Sequence, residues 1–238
     1  MSCARRLASA LLFATGLASA APAGIAVSPI RLDLAAPKPS AALTGTNGDR
    51  APRRFQIEVQ RWTQADGRDV FAPADELLAN PPLFELAPGA QQILRVGLLT
   101  PVPQDREAAY RVYITEVPRA ETPASGQLRL LLRLGVPVYA LPQRGAKPDW
   151  RWSARREGSD YVIRADNPGN VHQRRSRLHL ADADSGATLG DSEPFHDVLA
   201  GSAYEWRFAA RPPYAQRLRL TSQTESGVDA TTLPLAPQ

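Results

Sequence analysis

The chain has only one cysteine, Cys3, and it lies within the first twenty residues. Those residues hold two arginines, an apolar run over residues 7–17 and the small residues Ala-Ser-Ala at 18–20, a pattern typical of a secretory signal. We therefore predict a signal peptide over residues 1–20 that is removed on secretion. The mature chain would then lack cysteine, which excludes a thiol nucleophile, cysteine metal ligands and disulfides.

Long apolar runs and clustered charge are also missing. No segment after residue 20 is apolar enough for a transmembrane helix, so we predict no membrane insertion. The 28 basic and 24 acidic residues are interspersed along the chain, and nearly all of the basic ones are arginine. A nucleic-acid-binding surface needs a concentrated basic patch. We therefore predict that nucleic acid is not a partner.

Catalytic and metal-binding motifs are weak or absent. Residues 190–192, Gly-Asp-Ser, resemble the opening of a GDS-type esterase, but that fold requires βα alternation, which the sequence does not show. A β-turn is the favoured interpretation, and a secreted hydrolase rests on this triplet alone. The three histidines, His172, His179 and His196, do not have the spacing of a metal site. We predict no enzyme activity, no metal and no cofactor.

Short segments of alternating polarity, separated by glycine- and proline-containing turns, dominate what remains. This pattern predicts an all-β fold of immunoglobulin-like sandwiches. A break rich in proline, glycine and charge at residues 141–150 divides the chain, so we predict domains over residues 21–143 and 144–238. The predicted strands are residues 25–34, 54–62, 93–98, 110–117, 128–139, 161–165, 177–180, 204–208 and 217–220.

The stretch GQLRLLLRLGVPV, residues 126–138, is the most unusual of these segments. Leucines occupy positions 128, 130, 132 and 134, so one face of a strand would be almost pure leucine while the other carries two arginines. A solvated strand seldom has such a row of leucines, and a fully buried strand seldom has two arginines. An ordinary sandwich strand and a strand offered to a partner both remain open on this pattern alone.

Five sequence blocks, in order, resemble the periplasmic pilus-assembly chaperones of the PapD-like family. A sixth, in the second predicted domain, is similar to the spore-coat-like branch of that family. The blocks are IAVSPIRLDL (25–34), FQIEVQRWTQADGRD (55–69), NPPLFELAPGAQQILRVGL (80–98), REAAYRVYITEVP (106–118), VPVYALP (136–142) and ADNPGNVHQRRSRLHL (165–180).

The resemblance implies a fold and a function. The fold is two immunoglobulin-like domains set at an angle with a cleft between them. The function is to lend a strand to pilus subunits that lack their last strand, and to deliver those subunits to an outer-membrane usher. Leu128, Leu130 and Leu132 would be the side chains that fill the subunit's groove, while Leu134 would either join them or enter the chain's own core.

The resemblance also implies a basic anchor for the terminal carboxylate of the subunit. Arg31 matches the first anchor residue of the family. The second is normally a lysine at the position of Gly135, where this chain has none. Arg133, two residues earlier and on the same face of the strand, is our predicted substitute.

Two acidic residues are implied at the domain interface, Glu107 and Glu225. The arginine that joins such residues in the family would align with Tyr139, so that bridge is missing or rearranged here. The family often has a cis bond between paired prolines, which the resemblance suggests for Pro81–Pro82.

Other functions stay open at this point. The main alternative is a secreted structural or adhesion module, including a pilus subunit itself. A degenerate chaperone for another exported partner is a further one. A free leucine strand also raises the possibility of self-association between copies of the chain.

Overall fold

The computed structural model describes residues 24–118, 130–193 and 195–236, and all regular elements in these ranges are β-strands. The predicted all-β class is therefore confirmed. The first ten strands are β1 (Ile25–Ser28), β2 (Leu32–Leu34), β3 (Ser40–Asn47), β4 (Arg53–Ala65), β5 (Arg68–Pro73), β6 (Leu77–Asn80), β7 (Leu83–Leu86), β8 (Gln91–Leu98), β9 (Ala108–Val117) and β10 (Arg133–Ala140). The described part of the chain contains no helix with the length and apolar composition to span a membrane.

The front ten strands form two sheets. One has the order β1-β3-β8-β6, and the other has the order β2-β10-β9-β4-β5 with β7 paired to the start of β4. Their facing sides enclose one core, in which Leu34, Leu94 and Val112 are fully or almost fully buried.

The remaining strands form a second pair of sheets with a separate core around Tyr161, Ile163 and Leu180. The sheet orders are β11-β12-β16 and β14-β13-β17-β18, and β15 pairs with β13. The strands are β11 (Arg151–Glu157), β12 (Asp160–Asp166), β13 (Gln173–Asp182), β14 (Thr188–Ser192), β15 (His196–Val198), β16 (Ala203–Ala209), β17 (Arg217–Thr224) and β18 (Gly227–Pro234). The described residues 141–150 include no strand. The domain bounds 21–143 and 144–238 stay a prediction.

Alternation along β9 shows how the sequence creates two different faces of one sheet. Tyr110, Val112 and Ile114 point into the front core and are at most 2% exposed. Arg111 and Tyr113, which alternate with them, lie on the opposite face and are half-buried. This opposite face of the β2-β10-β9-β4-β5 sheet carries the candidate site.

The first predicted strand, residues 25–34, changes sheet in the middle. Its first half is β1, which pairs with β3, and its second half is β2, which runs parallel to β10. Pro29 lies between the halves and has no N–H with which to continue a ladder. The chain therefore crosses from one front sheet to the other between Ser28 and Leu32.

Peptide geometry corrects one detail of the resemblance. The suggested cis bond at Pro81–Pro82 is wrong, because the cis bond lies one residue earlier, at Asn80–Pro81. Both bonds precede a proline, and either can therefore adopt the cis form. Further cis bonds are Ser28–Pro29, Ala36–Pro37 and Pro212–Pro213.

An aromatic cluster joins the front half of the molecule, β1–β10, to the back half, β11–β18. We call this contact the junction. Trp62 and Tyr139 from the front pack with Leu199 from the back, and all three are buried. The ring of His172, from the back, stacks on the ring of Tyr139 with centroids 3.5 Å apart. These contacts hold the two halves together through apolar surface that neither core contains.

Buried polar groups add directed contacts to this junction. The carboxylate of Glu107 accepts hydrogen bonds from the backbone N–H of His172 at 3.0 Å and from its ring nitrogen Nδ1 at 2.8 Å. The hydroxyl of Tyr139 donates to Asp197 at 3.1 Å, and Arg174 donates to both oxygens of Asp197 at 2.6 and 2.8 Å. Burial alone would raise the pKa of Asp197, but the hydrogen bonds and charge of Arg174 outweigh it and lower that pKa.

We expect Asp197→Asn to weaken the fold and to flatten its acid dependence. At neutral pH the loss of the Arg174 pair should lower the free energy of unfolding by about 2–3 kcal/mol. Because the folded pKa of Asp197 is lower than the unfolded one, its stabilising contribution is complete above about pH 4 and disappears as the pH falls through the folded value. Urea unfolding at pH 7 and near pH 2.5 measures both effects.

The matched control is Asp184→Asn, which removes an exposed carboxylate of the same half. The control should keep the acid dependence of the wild type. An Asp197→Asn variant that lost as much stability on acidification as the wild type would contradict the assignment.

Candidate functional site: an open strand edge and a corner arginine

One of the two edges of strand β10 is paired along only part of its length. Strand β9 pairs with it over its full length, from Arg133 to Ala140. On the other edge β2 pairs only with Val138 to Ala140. Among the described residues, positions 133–137 have no partner strand on that side. Such an edge presents free backbone N–H and C=O groups, and it can accept a further strand.

Exposed leucines precede this open edge. Leu130 is 76% exposed and Leu132 is 36% exposed, whereas Leu134 packs against the front core. The predicted strand 128–139 begins later than expected, at Arg133, although the carbonyl of Leu132 accepts a bond from the amide of Glu116. Leu128 lies outside the described residues. The roles of Leu128, Leu130 and Leu132 in filling a partner's groove stay a prediction.

Arg31 lies at the corner where the cover of β10 ends. Leu32 is opposite Val138, so Arg31, one position earlier, lies at the level of Pro137. Its Nε and Nη2 donate to Asp33 at 3.2 and 3.1 Å, and its Nη1 donates to Glu225. Burial alone would lower the pKa of Arg31, but the charges of Asp33 and Glu225 outweigh it and raise that pKa.

Arg133 lies on the same face of the sheet as Arg31, but its side chain extends toward Tyr113 and Glu58. Its guanidinium lies 3.9 Å from the ring centre of Tyr113 and 3.2 Å from the carboxylate of Glu58 on β4. Arg133 is four positions before Pro137, which is about 13 Å along a strand. The structure does not bring the two arginines together, and the anchoring role of Arg133 stays a prediction.

Arg111 is a basic residue of this face that the sequence reasoning missed. It is opposite Pro137 on β9, so it lies two strands from Arg31, about 10 Å away. Its guanidinium stacks over Trp62 at 4.1 Å, and its buried Nε has no hydrogen-bond partner. A Cβ added at Gly135 would lie 3.1 Å from Cδ of Arg111. The side chain of Arg111 therefore crowds Gly135, the position at which the resemblance implies a lysine.

The alternation of REAAYRVYITEVP was the signal that could have revealed Arg111. Its buried residues Tyr110, Val112 and Ile114 fix the face of β9 that enters the core, and Arg111 must then lie on the other. What the pattern could not supply is the register of β9 against β10, which places Arg111 opposite Pro137.

The two acidic residues predicted at the domain interface both contact residues of the opposite half. Glu107 binds His172, and Glu225 binds Arg31. A cavity of about 370 Å³ opens beside them. Its charged and ionisable lining residues are Arg31, Asp33, Glu107, His172, Arg174, Arg175 and Glu225.

The chemistry of this site is that of recognition. The open edge offers backbone hydrogen bonds, the leucines offer apolar surface, and Arg31 and Arg111 offer positive charge near the end of the edge. Among the described residues, no group of three or more histidine, cysteine or acidic side chains is placed to hold a metal ion. The arrangement can bind an extended chain that ends in a carboxylate.

The family comparison agrees with this geometry. The model of the pili and flagellar-assembly chaperones, PapD N-terminal domain, matches residues 24–146, which is just over half of the chain. The chain therefore belongs to this family of chaperones. The predicted resemblance to the PapD-like chaperones is confirmed, while its assignment to the spore-coat-like branch stays a prediction.

Curated relatives and solved structures extend the likeness. The chain is 28% identical over 153 residues to the probable fimbrial chaperone LpfB of Escherichia coli O157:H7, an alignment that covers 61% of this chain and 62% of LpfB. It is 30% identical over 153 residues to the chaperone protein FimB/FhaD of Bordetella pertussis, covering 58% and 60%. The chain thus spans about three fifths of the length of the curated relatives it matches.

The fold of nearly the whole chain is also found in a solved complex. A chain of the CsuC–CsuE chaperone–tip adhesion subunit complex of Acinetobacter baumannii superposes with a TM-score of 0.69 at 20% identity. The alignment covers 90% of this chain and 100% of that one. The predicted architecture of two immunoglobulin-like domains is confirmed.

We expect alternate backbone amides between residues 133 and 136 to exchange quickly with solvent. On the side away from β9 they have no strand partner in the described structure, and exposed strand amides open easily. Hydrogen exchange followed by NMR or mass spectrometry measures this. The amides of Val138 and Ala140, which lie between β9 and β2, serve as the slow internal reference.

Slow exchange at every amide from 133 to 136 in the free, monomeric protein would contradict an open edge. Selective slowing when an extended peptide is added would support it, because an added strand protects only the amides that face it.

Proposed function

We propose that this protein is a periplasmic chaperone that captures pilus subunits by adding its own strand to them. The single observation that carries the proposal is the uncovered edge of β10, which ends at Arg31. Membership of the chaperone family supports it, as do the fimbrial chaperones among the relatives. The alternative of a structural or adhesion module is not favoured.

We also propose a direction for the captured strand. A partner strand that covers residues 133–137 lies in line with β2, and its end nearest Arg31 is the end toward Pro137. If that end is the terminal carboxylate, the captured strand runs parallel to β10. Its carboxylate then lies near Arg31, at the level of Pro137. Arg111 lies at the same level on β9, on the other side of β10.

The energy of capture comes from leucine burial and backbone pairing. Fully burying an exposed leucine contributes roughly 1.5–3 kcal/mol. Leu130 is 76% exposed and Leu132 36% exposed, so burying what remains of the two gives about 2–3 kcal/mol before ordering costs. That interaction stabilises a complex yet permits a better-fitting strand to replace it, without a nucleotide. Delivery to an outer-membrane usher and export by the signal over residues 1–20, which lies outside the described residues, complete the proposal.

Arg31→Ala should remove the preference for a terminal carboxylate. The probe is a short synthetic peptide in which valine and threonine alternate, made with a free carboxylate and as the amide. A charge-assisted pair contributes about 1.5–3 kcal/mol, so the variant should bind the carboxylate peptide about tenfold or more weakly and the amide peptide unchanged. Fluorescence anisotropy measures both affinities.

Arg207→Ala, which removes an exposed arginine from β16, is the matched control and should bind like the wild type. Arg133→Ala, measured beside it, tests the second anchoring role. Retention of the full carboxylate preference by Arg31→Ala would show that the anchor lies elsewhere.

Leu130→Glu should abolish capture and leave the fold intact. Leu130 is already 76% exposed, so the free energy of unfolding should change by no more than about 0.5 kcal/mol. A carboxylate placed in an apolar groove should weaken capture at least about tenfold. The measurement is a pull-down with the tagged mature protein from periplasmic extract of its own host, read by mass spectrometry.

The wild type should recover a small β-rich secreted protein in equal amount, and the variant should not. Val228→Glu, which changes a residue of β18 that is 65% exposed, is the control for an added charge at an apolar surface position. If Leu130→Glu recovered the same protein in the same amount, the leucine would have no part in capture.

A further inference from the structure

Each of the three guanidinium nitrogens of Arg31 donates to a carboxylate of its own chain. Two of its nitrogens donate to Asp33 and the third donates to Glu225. A client carboxylate that pairs with two neighbouring nitrogens of Arg31 therefore competes with at least one of these partners, since a bidentate pair uses two parallel N–H donors of the guanidinium.

The two internal partners are held very differently. Asp33 lies two residues from Arg31 on the same strand, so it moves with it. Glu225 belongs to the other half of the molecule, on the two-residue turn between β17 and β18, where Thr224 is opposite Gly227. The Glu225 side chain is 53% exposed and binds only one of the guanidinium nitrogens.

The turn that carries Glu225 is well ordered by its own hydrogen bonds. The hydroxyl of Thr224 accepts from the amide of Ser226 at 3.1 Å and donates to the carbonyl of Gly227 at 3.0 Å. The ladder between β17 and β18 continues from this turn for the full length of both strands. The ordered turn thus holds the carboxylate of Glu225 within reach of Arg31.

Release of Glu225 does not require the two halves to separate. The stacking of His172 on Tyr139, the bonds of Glu107 to His172 and the pair of Arg174 with Asp197 do not involve Glu225. Only the half-exposed side chain of Glu225 has to rotate into solvent.

We propose that Glu225 is a tethered competitor that occupies the anchor until a client arrives, and so raises the affinity that a carboxylate ligand needs in order to bind there. This inference rests on the proposed function. A tethered group acts at an effective concentration on the order of millimolar, so free carboxylates and acidic side chains that bind through charge alone compete poorly. A client strand succeeds because its pairing with β10 and its buried side chains add to the carboxylate contact.

The test compares Glu225→Gln with the wild type on the same valine–threonine peptides, as carboxylate and as amide. Glutamine keeps the size of the side chain and removes its charge. The Arg31–Glu225 ion pair is exposed and therefore weak, so its removal can raise the affinity only modestly. Glu225→Gln should bind the carboxylate peptide about two- to fivefold more tightly and the amide peptide with unchanged affinity. In an Arg31→Ala background the same substitution should have no effect.

Glu193→Gln is the matched control, because it removes an exposed carboxylate of the same half that pairs only loosely with Arg177, at 4.0 Å. It should bind both peptides like the wild type, which excludes a general effect of net charge. Thermal unfolding of each variant verifies that the fold is retained.

The outcomes separate the two claims. If the wild type prefers the carboxylate peptide and Glu225→Gln binds it equally or more weakly, the competitor role is overturned and the chaperone proposal stands. If a gain persists in the Arg31→Ala background, Glu225 does not act through Arg31 and the competitor role is again overturned. If neither the wild type nor Glu225→Gln binds either peptide, strand capture itself fails, and the inference fails with it.

Discussion

The crossing of the first strand from one front sheet to the other is the constraint on which the rest of the site depends. Because Pro29 cannot continue the ladder of β1, the chain leaves β3 and rejoins the molecule as β2 beside the last part of β10. The early part of β10 is consequently left with one open edge. The same crossing places Arg31 at the point where this open edge ends. The open edge and the positive charge at its end therefore have the same structural cause.

An open edge beside exposed leucines is a hazard for any secreted protein, because a second copy can pair with it. The charged side chain of Arg133, on the edge strand itself, opposes a flat pairing of two copies. The predicted self-association of the free protein stays a prediction. The junction keeps the back half fixed near the site, since Tyr139 lies on the same strand as the edge and packs directly on His172.

Alternating polarity predicted the strands that have large apolar residues on one face, such as β9, and therefore the all-β class. It missed β3 and β18, whose sequences SAALTGTN and GVDATTLP consist mostly of small and polar residues, and for which neighbouring strands decide the conformation. For the site, the resemblance supplied Arg31, Glu107 and Glu225. Arg111 was missed because no single segment reveals which residues two paired strands place opposite each other.

Arg31, the proposed anchor, also pairs with Glu225 across the junction, so the proposed capture of a client would be linked to the contact between the two halves. The resemblance implies an arginine that joins acidic residues across the junction, at the position that Tyr139 has here. Glu107 pairs with His172 instead, and Glu225 pairs with Arg31. A carboxylate that pairs with Nη1 of Arg31 therefore competes directly with one of the cross-junction bridges. The aromatic stack and the buried Asp197 pair do not depend on Arg31, so the halves stay joined while this one bridge opens.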